Sequence, residues 1–442
     1  MIVSMVHPMY RTSKRPIKND FVARRPGAIQ EINVKLAKTL VGALTLAVGG
    51  PVFAQSSVTL YGLLDEGINY VNNVQTAKAG APHGRTGGPL YQMSTGLMQA
   101  SRWGMRGTED LGNHYQAIFV LEDGFDVGTG KFQQGGTFFG RQSYVGLTSP
   151  YGNITLGRQY DSIVDVIVPM QAGSYAGGAY ADHPGDIDNV ADSQRINNAV
   201  KYTSPTFGGV TLTGLYSFGG VAGSFGKDAI YSVGARFAMG PVAVAAGYMH
   251  IDNPNQSFYG NNSTGSTTAN NLGAVSGVQT NPIYGGFASA GRMQIFSGAA
   301  QYTIGSLIAG IGYSNIRFQD LNDPASGTLS LTNPFGYKGN ASFNNYNVYA
   351  GYWVTPALQL GLSYNYLRGG AIDGKDSAAY QTLNAAIDYF LSKRTDVYIA
   401  AAYMKASGVD STGQAAVPYL VTLTPSNTSN QVVARIGIRH KF

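Results

Sequence analysis

From Gln431 to Phe442 the chain alternates. Val432, Ala434, Ile436, Ile438 and Phe442 share one parity, broken only by His440, while Arg435, Gly437, Arg439 and Lys441 share the other. A period of two is a strand, because successive side chains point to opposite faces. A soluble sandwich would have to bury the arginines or leave the apolar row wet. A membrane barrel needs this pattern, with lipid outside, water inside and an aromatic residue at the interface. The same alternation recurs in 357–369, where Leu358, Leu360, Leu362, Tyr364 and Tyr366 oppose Gln359, Gly361, Ser363 and Asn365. In 380–391, Leu383, Ala385, Ile387 and Tyr389 oppose Thr382, Asn384 and Asp388.

About sixteen such segments are expected, an even number as single-chain bacterial barrels have. The first spans 57–71 and the second 97–109. Tight turns such as Ser149–Gly152, Gly240-Pro241, Gly305-Ser306 and Thr355-Pro356 separate some of them. Long connections rich in Gly, Asn, Ser, Thr and Pro separate the others: 72–96, 128–136, 162–194, 253–289, 319–340 and 409–429. Short and long connections alternate, as periplasmic turns and extracellular loops do. A barrel of ~16 strands is too wide for side chains to fill and leaves an aqueous channel. The expected fold is therefore all-β, one transmembrane antiparallel β-barrel over residues 55–442.

Composition agrees: 59 glycines, 29 tyrosines and 19 phenylalanines accompany only 12% charged residues. The lack of cysteine removes disulfides and thiolate metal sites. The formal charge of +6 is misleading, because residues 1–54 hold eight Lys/Arg against Asp20 and Glu31. The remainder is neutral, so no basic patch argues for nucleic acid. Lys35 and Lys38 precede an apolar run, Leu40–Val48, far shorter than the ~20 residues of a spanning helix. Val52-Phe53-Ala54 then supplies a small-residue cleavage site. Residues 1–54 are expected to be a cleaved region, with the functional signal in 34–54 and the mature chain starting at Gln55. Signal peptides run to about 30 residues, so translation is expected to begin near Val34.

No metal, cofactor or catalytic residue is expected. The six histidines are scattered, and Asp186-x-Asp188-Asn189 lacks the later Glu of a calcium loop. Two alternatives carry less support. A barrel hydrolase would need a rim histidine, for which His83 and His250 are the candidates. A surface adhesin or receptor barrel would use loops 253–289 and 409–429.

Several motifs resemble the general porins of Gram-negative outer membranes, in particular the betaproteobacterial type. They are Ser57-Val-Thr-Leu-Tyr-Gly-Leu-Leu-Asp65, Ser101-Arg-Trp-Gly-Met-Arg-Gly-Thr-Glu-Asp-Leu-Gly112, Phe139-Gly-Arg-Gln-Ser-Tyr-Val-Gly-Leu147, Gly152-Asn-Ile-Thr-Leu-Gly-Arg-Gln-Tyr160, Asn198-Ala-Val-Lys-Tyr-Thr-Ser-Pro205 and the terminal Phe442. The resemblance implies a sixteen-stranded barrel, usually a homotrimer embedded in outer-membrane lipid, through which small hydrophilic solutes and ions diffuse. It implies that Phe442 is the barrel-assembly signal met by the outer-membrane assembly machinery. It also implies a third loop folded into the lumen, with its acids facing a basic wall.

Carried onto this sequence, that wall is Arg102, Arg158 and Arg195. Arg102 and Arg195 lie on polar parities of their segments. Arg158 shares parity with Ile154 and Leu156, so facing inward would require a bulge. The third loop, 162–194, is too long for an ordinary connection. It holds Asp165, Asp182, Asp186, Asp188 and Asp192 and no Lys or Arg. Enteric members carry a Glu shortly after a Pro, whereas Pro169 is followed here by Met170, Gln171 and Ala172. Asp165, Asp182 and Asp186 are the candidates for the acidic side. Opposed charges across a constriction create a transverse field, and only a weak ion preference is expected.

Overall fold

Alternating strands with one apolar and one polar face are stable together only if the sheet leaves no unpaired edge in lipid. The computed structural model describes residues 57–78, 85–274, 278–323 and 336–442, so the cleaved segment expected over 1–54 lies outside it. Its strands are β1 (Ser57–Lys78), β2 (Arg85–Thr95), β3 (Arg102–Gly112), β4 (Tyr115–Gly124), β5 (Gln142–Ser149), β6 (Gly152–Gln159), β7 (Ile196–Thr203), β8 (Val210–Ser217), β9 (Ile230–Met239), β10 (Val242–Asp252), β11 (Arg292–Ile304), β12 (Leu307–Leu321), β13 (Gly339–Thr355), β14 (Leu358–Gly369), β15 (Ala379–Phe390), β16 (Thr395–Ser407) and β17 (Asn430–Lys441).

All neighbours are antiparallel, and β17 returns to β1 through pairs such as Gly67↔Gly437, closing the ring. The seventeen segments make sixteen barrel strands. β2 and β3 pair with successive halves of β1, Glu66–Lys78 and Ser57–Leu63, as one strand interrupted at 96–101. Seven of the connections are turns of two to six residues at one rim, and the long loops all lie at the other.

The parities hold. Val432, Ile436 and Ile438 are exposed on the outer wall, and Arg435 and Arg439 are buried on the inner one. Phe442 closes the seam, exchanging backbone hydrogen bonds with Gly62 at 3.1 and 3.0 Å. One expectation fails. Residues 72–96 are not a single long connection, because β1 runs on to Lys78 and Arg85–Thr95 pairs back onto it with two register shifts. The interruption that follows turns inward. Asp65 of β1 holds it, accepting from Gln99 N at 2.9 Å, while Asp65 N donates to Ser101 Oγ at 2.9 Å.

The apolar core lies inside the barrel mouth rather than between layers. Phe258, Tyr284 and Phe287 from the 253–291 loop and Leu420 from the 408–429 loop are buried with Phe318 and Phe343 of the wall.

A Cβ at Gly62 would overlap the Phe442 ring and lie 2.7 Å from the Arg102 carbonyl. Gly62→Ala should therefore destabilise the closed barrel by about 1–3 kcal/mol. The check is the temperature at which the folded, heat-modifiable band disappears on a gel. Phe442→Ala in the same chain should recover part of the loss; an unshifted midpoint in Gly62→Ala would contradict the overlap.

Candidate functional site

Between β6 and β7 the chain leaves the rim and crosses the ring. It opens with a short helix, α1 (Ser162–Ile167), whose cap Asp161 accepts from Ile163 N and Val164 N at 2.7 and 3.1 Å. Small wall residues make room for it: a Cβ at Gly234 of β9 would sit 2.7 Å from Ser162 O, and one at Gly247 of β10 would sit 3.0 Å from the Ile163 side chain. Further on, Tyr175 and Ala176 lie against Gly361 of β14, where a Cβ would overlap the Tyr175 carbonyl. Tyr175 stacks on Tyr349 of β13 at 5.5 Å, and Tyr349 donates to Met170 O at 2.9 Å. Gly178, at φ +60, sits against the Leu97 carbonyl of the inward excursion, and Ala179 N donates to that carbonyl at 2.9 Å. Tyr180 reaches Asn69 of β1 at 3.1 Å. Since β9 and β1 lie about half the ring apart, residues 161–180 run between opposite inner walls.

A polar clamp holds the descending half. Asp188, fully buried, accepts from Ser314 of β12 and lies 2.6 Å from His183 Nδ1. His183 Nε2 meets the Asn347 amide of β13 at 2.7 Å. Burial disfavours both charges, but their mutual attraction prevails: His183 is raised above the ordinary imidazole range and Asp188 is held below the carboxylate range. The serine donates to the carboxylate rather than to the imidazole. Asp186 accepts from Ala191 N and Ser193 N at 2.8 and 2.9 Å, and burial together with nearby Asp188 pushes it up to about 7.

Charged groups gather where the loop meets the wall. A cavity of about 770 Å³ is lined by Arg102, Arg141, Arg195, Arg439 and Lys441 and by Asp182, Asp192 and Asp388. Asp192 bridges Arg195 at 3.0 Å and Arg141 at 3.7 Å. Tyr160 OH accepts from the same two guanidinium groups at 3.2 and 2.6 Å. Arg141 also holds Glu122 of β4 at 2.8 Å, and Arg439 holds Asp388 and Asp396 at 3.2 and 3.0 Å. Asp182 has no ion pair among the described residues. Burial, then the nearby Asp186, Asp192 and Asp188, raise it well above its ordinary value. A second cavity of about 380 Å³ holds Asp165, paired with Lys201 at 2.8 Å, and Arg236.

The expected site residues therefore divide. Arg102, Arg195 and Asp182 share one cavity, and Asp165 lies in the other. Arg158 and Asp186 line neither. The register of β6 against β7 does shift between Gly157 and Gln159, but the Arg158 side chain bonds Asn197, Gly140 O and Asn261 O, linking loops. Asp186 spends both oxygens on its own loop. Sequence reasoning missed Arg141 and Glu122; Arg141 stands in the quoted Phe-Gly-Arg-Gln motif, which was the available signal. His250 stacks on Tyr231 at 4.8 Å on the outer wall, and His83 lies outside the described residues.

A family model described as Gram-negative porin matches residues 40–409. An outer membrane porin of Bordetella pertussis is 30% identical over 421 residues, covering 92% of this chain and 100% of that one. Outer membrane porin protein 32 of Delftia acidovorans is 28% identical over 415 residues, with the same coverage of 92% and 100%. Among solved structures, the anion-selective porin from Comamonas acidovorans superposes with a TM-score of 0.61 at 22% identity, covering 88% of this chain and 100% of that one. The trimer form of OmpT of Vibrio cholerae superposes at 0.57 with 15% identity, covering 88% and 99%.

Two outcomes follow from the loop contacts. Gly361→Val should push Tyr175 off the wall and alter single-channel conductance by more than the noise between wild-type channels; an identical conductance would detach the loop from the current path. The clamp should also depend on pH. Raised values for His183 and Asp186 stabilise it below their unfolded pKa values, about 6.5 and 3.9, and that stability is lost as pH rises through the folded values. The depressed value of Asp188 acts oppositely, failing only as pH falls through it. Amide-exchange protection of Ala191 and Ser193, corrected for intrinsic rates, should thus fall between about pH 5 and pH 8. Constant protection over that range would refute the assignment.

Proposed function

The chain belongs to the Gram-negative porin family and forms a channel across the outer membrane, and we propose that the wall and third loop around the 770 Å³ cavity form its constriction. Small hydrophilic solutes and ions diffuse past Arg102 and Arg195, with Arg141, Arg439 and Lys441 beside them and Asp182 and Asp192 on the loop. The observation that carries this reading is charge: five cations and three carboxylates line one cavity. The second cavity adds Lys201 and Arg236 against Asp165. The balance favours anions, in keeping with the anion-selective porin of Comamonas acidovorans. Asp165 contributes below the loop. Asp186 shapes the loop, and Arg158 braces its mouth.

The chain needs no catalytic group for this. Phe442, seated on Gly62 at the seam, fits the role of the signal met by the assembly machinery. The apolar outer wall fits lipid and two further copies of the chain, the arrangement of the OmpT trimer form.

Conductance in a planar bilayer under a salt gradient tests the reading. Wild-type channels should open in groups of three with a reversal potential of anionic sign. Arg102→Gln with Arg195→Gln should shift that potential towards cations, and Asp192→Asn, which removes the loop carboxylate paired with Arg195 and Arg141, should shift it the other way. An unmoved potential in the double variant would remove both arginines from the constriction.

A further inference from the structure

We infer that the second cavity is a binding site for a monoanionic sugar acid, a ring bearing one carboxylate and several hydroxyls. The inference deepens the channel reading above and rests on it for how such a solute arrives. The place of the site follows from register. Asn153 of β6 pairs with Thr203 of β7, Thr203 with Thr213 of β8, and Thr211 with Arg236 of β9. Their chain neighbours Ile154, Tyr202, Leu212 and Phe237 are exposed on the outer wall, so these residues have inward parity. Asn153, Thr203 and Thr211 stand close to short turns, which puts the cavity in the short-turn half of the barrel. Asp165 and Val166 of α1 close it on the loop side.

An unengaged guanidinium sets this cavity apart. In the first cavity each arginine is already bound: Arg102 to Ala100 O at 2.9 Å, Arg195 to Asp192 at 3.0 Å, Arg141 to Glu122 at 2.8 Å and Arg439 to Asp396 at 3.0 Å. Arg236 has neither a carboxylate partner nor a hydrogen bond among the described residues, and its Nε is shut off from solvent. The side chains of Gln142, Tyr144, Asn153 and Thr203 line the same space and likewise make no hydrogen bond among the described residues. Unengaged polar groups that converge on one space form a ready set of donors and acceptors.

The chemistry selects the class of solute. A guanidinium fork matches a carboxylate. Asp165 offsets Lys201, to which it is paired at 2.8 Å, so Arg236 leaves the lining with one positive charge in excess, which suits a monoanion. Asp165 takes the bonds of Lys201 and Thr213 on Oδ2, and Oδ1 makes no hydrogen bond, so it can accept from a sugar hydroxyl. The amides of Gln142 and Asn153 and the hydroxyl of Thr203 suit the remaining hydroxyls. The Tyr144 ring, Ile118 and Val166 offer apolar surface to the C–H face of a ring. A volume of about 380 Å³ lies at the small end of ligand pockets, enough for one pyranose rather than an oligosaccharide. A simple carboxylate would leave the hydroxyl-binding groups unused, and a neutral sugar would leave Arg236 unpaired.

The test is saturation-transfer NMR of the folded, detergent-solubilised protein with D-glucuronate, with D-glucose and acetate as controls. Wild type should bind glucuronate about tenfold or more tightly than either control. Arg236→Gln should weaken glucuronate binding about tenfold or more, while Arg102→Gln with Arg195→Gln, which changes the first cavity, should keep the wild-type affinity. Should Arg236→Gln fail to fold, Tyr144→Phe with Asn153→Ala should weaken binding about fivefold or more. Equal affinity for glucuronate, glucose and acetate, undiminished binding in a folded Arg236→Gln variant, or loss of binding in the Arg102 and Arg195 double variant would each overturn the proposal. Wild-type channels that conduct without binding glucuronate would overturn the site and leave the channel reading standing. Binding without conductance would overturn the channel reading and leave the site.

Discussion

Everything in this molecule follows from the absence of water in the hydrocarbon core. An unpaired backbone N–H or C=O there costs several kcal/mol, so a spanning sheet must close on itself. Sixteen strands do so, and β17 meets β1 with the terminal Phe442 locked onto Gly62. Closure at that width turns the usual arrangement inside out. The apolar side chains face outward, and the polar and charged ones must find partners in the interior.

The interior solves this with pairs rather than solvent alone. Arg435 is tied to Asp65, Asn69, Ser94 and Tyr398, and Gly67 leaves it space, since a Cβ there would stand 2.7 Å from Arg435 Nε. Glu122 and Arg141 form a second buried pair at 2.8 Å, and burial of Arg141 is more than offset by Tyr160, Asp192 and Glu122, which keep it firmly charged. Removing one partner of such a pair leaves a buried charge and costs several kcal/mol. The third loop uses the same logic, with Asp188 and His183 reaching across to Ser314 and Asn347. Wall glycines at 234, 247 and 361 supply the space that side chains would deny it.

The long outer loops are anchored by this arrangement. Tyr284 donates to Gly185 O at 3.1 Å, Gly286 N bonds Ser411, and Arg85 pairs with Asp410 at 3.0 Å. Much of their apolar surface is thus committed to the barrel mouth.

By itself the sequence determined the strands, their two faces and the alternation of short and long connections. Lipid on one side and water on the other impose a period of two that survives without any knowledge of neighbours. It lost the hairpin formed by the end of β1 and β2, because above the hydrocarbon neither face must be apolar and two register shifts break the period. It placed Arg102 and Arg195 on the polar face, but not Arg141 beside Asp192, nor Arg158 among the loops, nor Asp186 turned into its own backbone. Parity fixes which wall a side chain leaves. Only the tertiary structure decides what it meets across a wide lumen, because those partners come from strands and loops far apart in the chain.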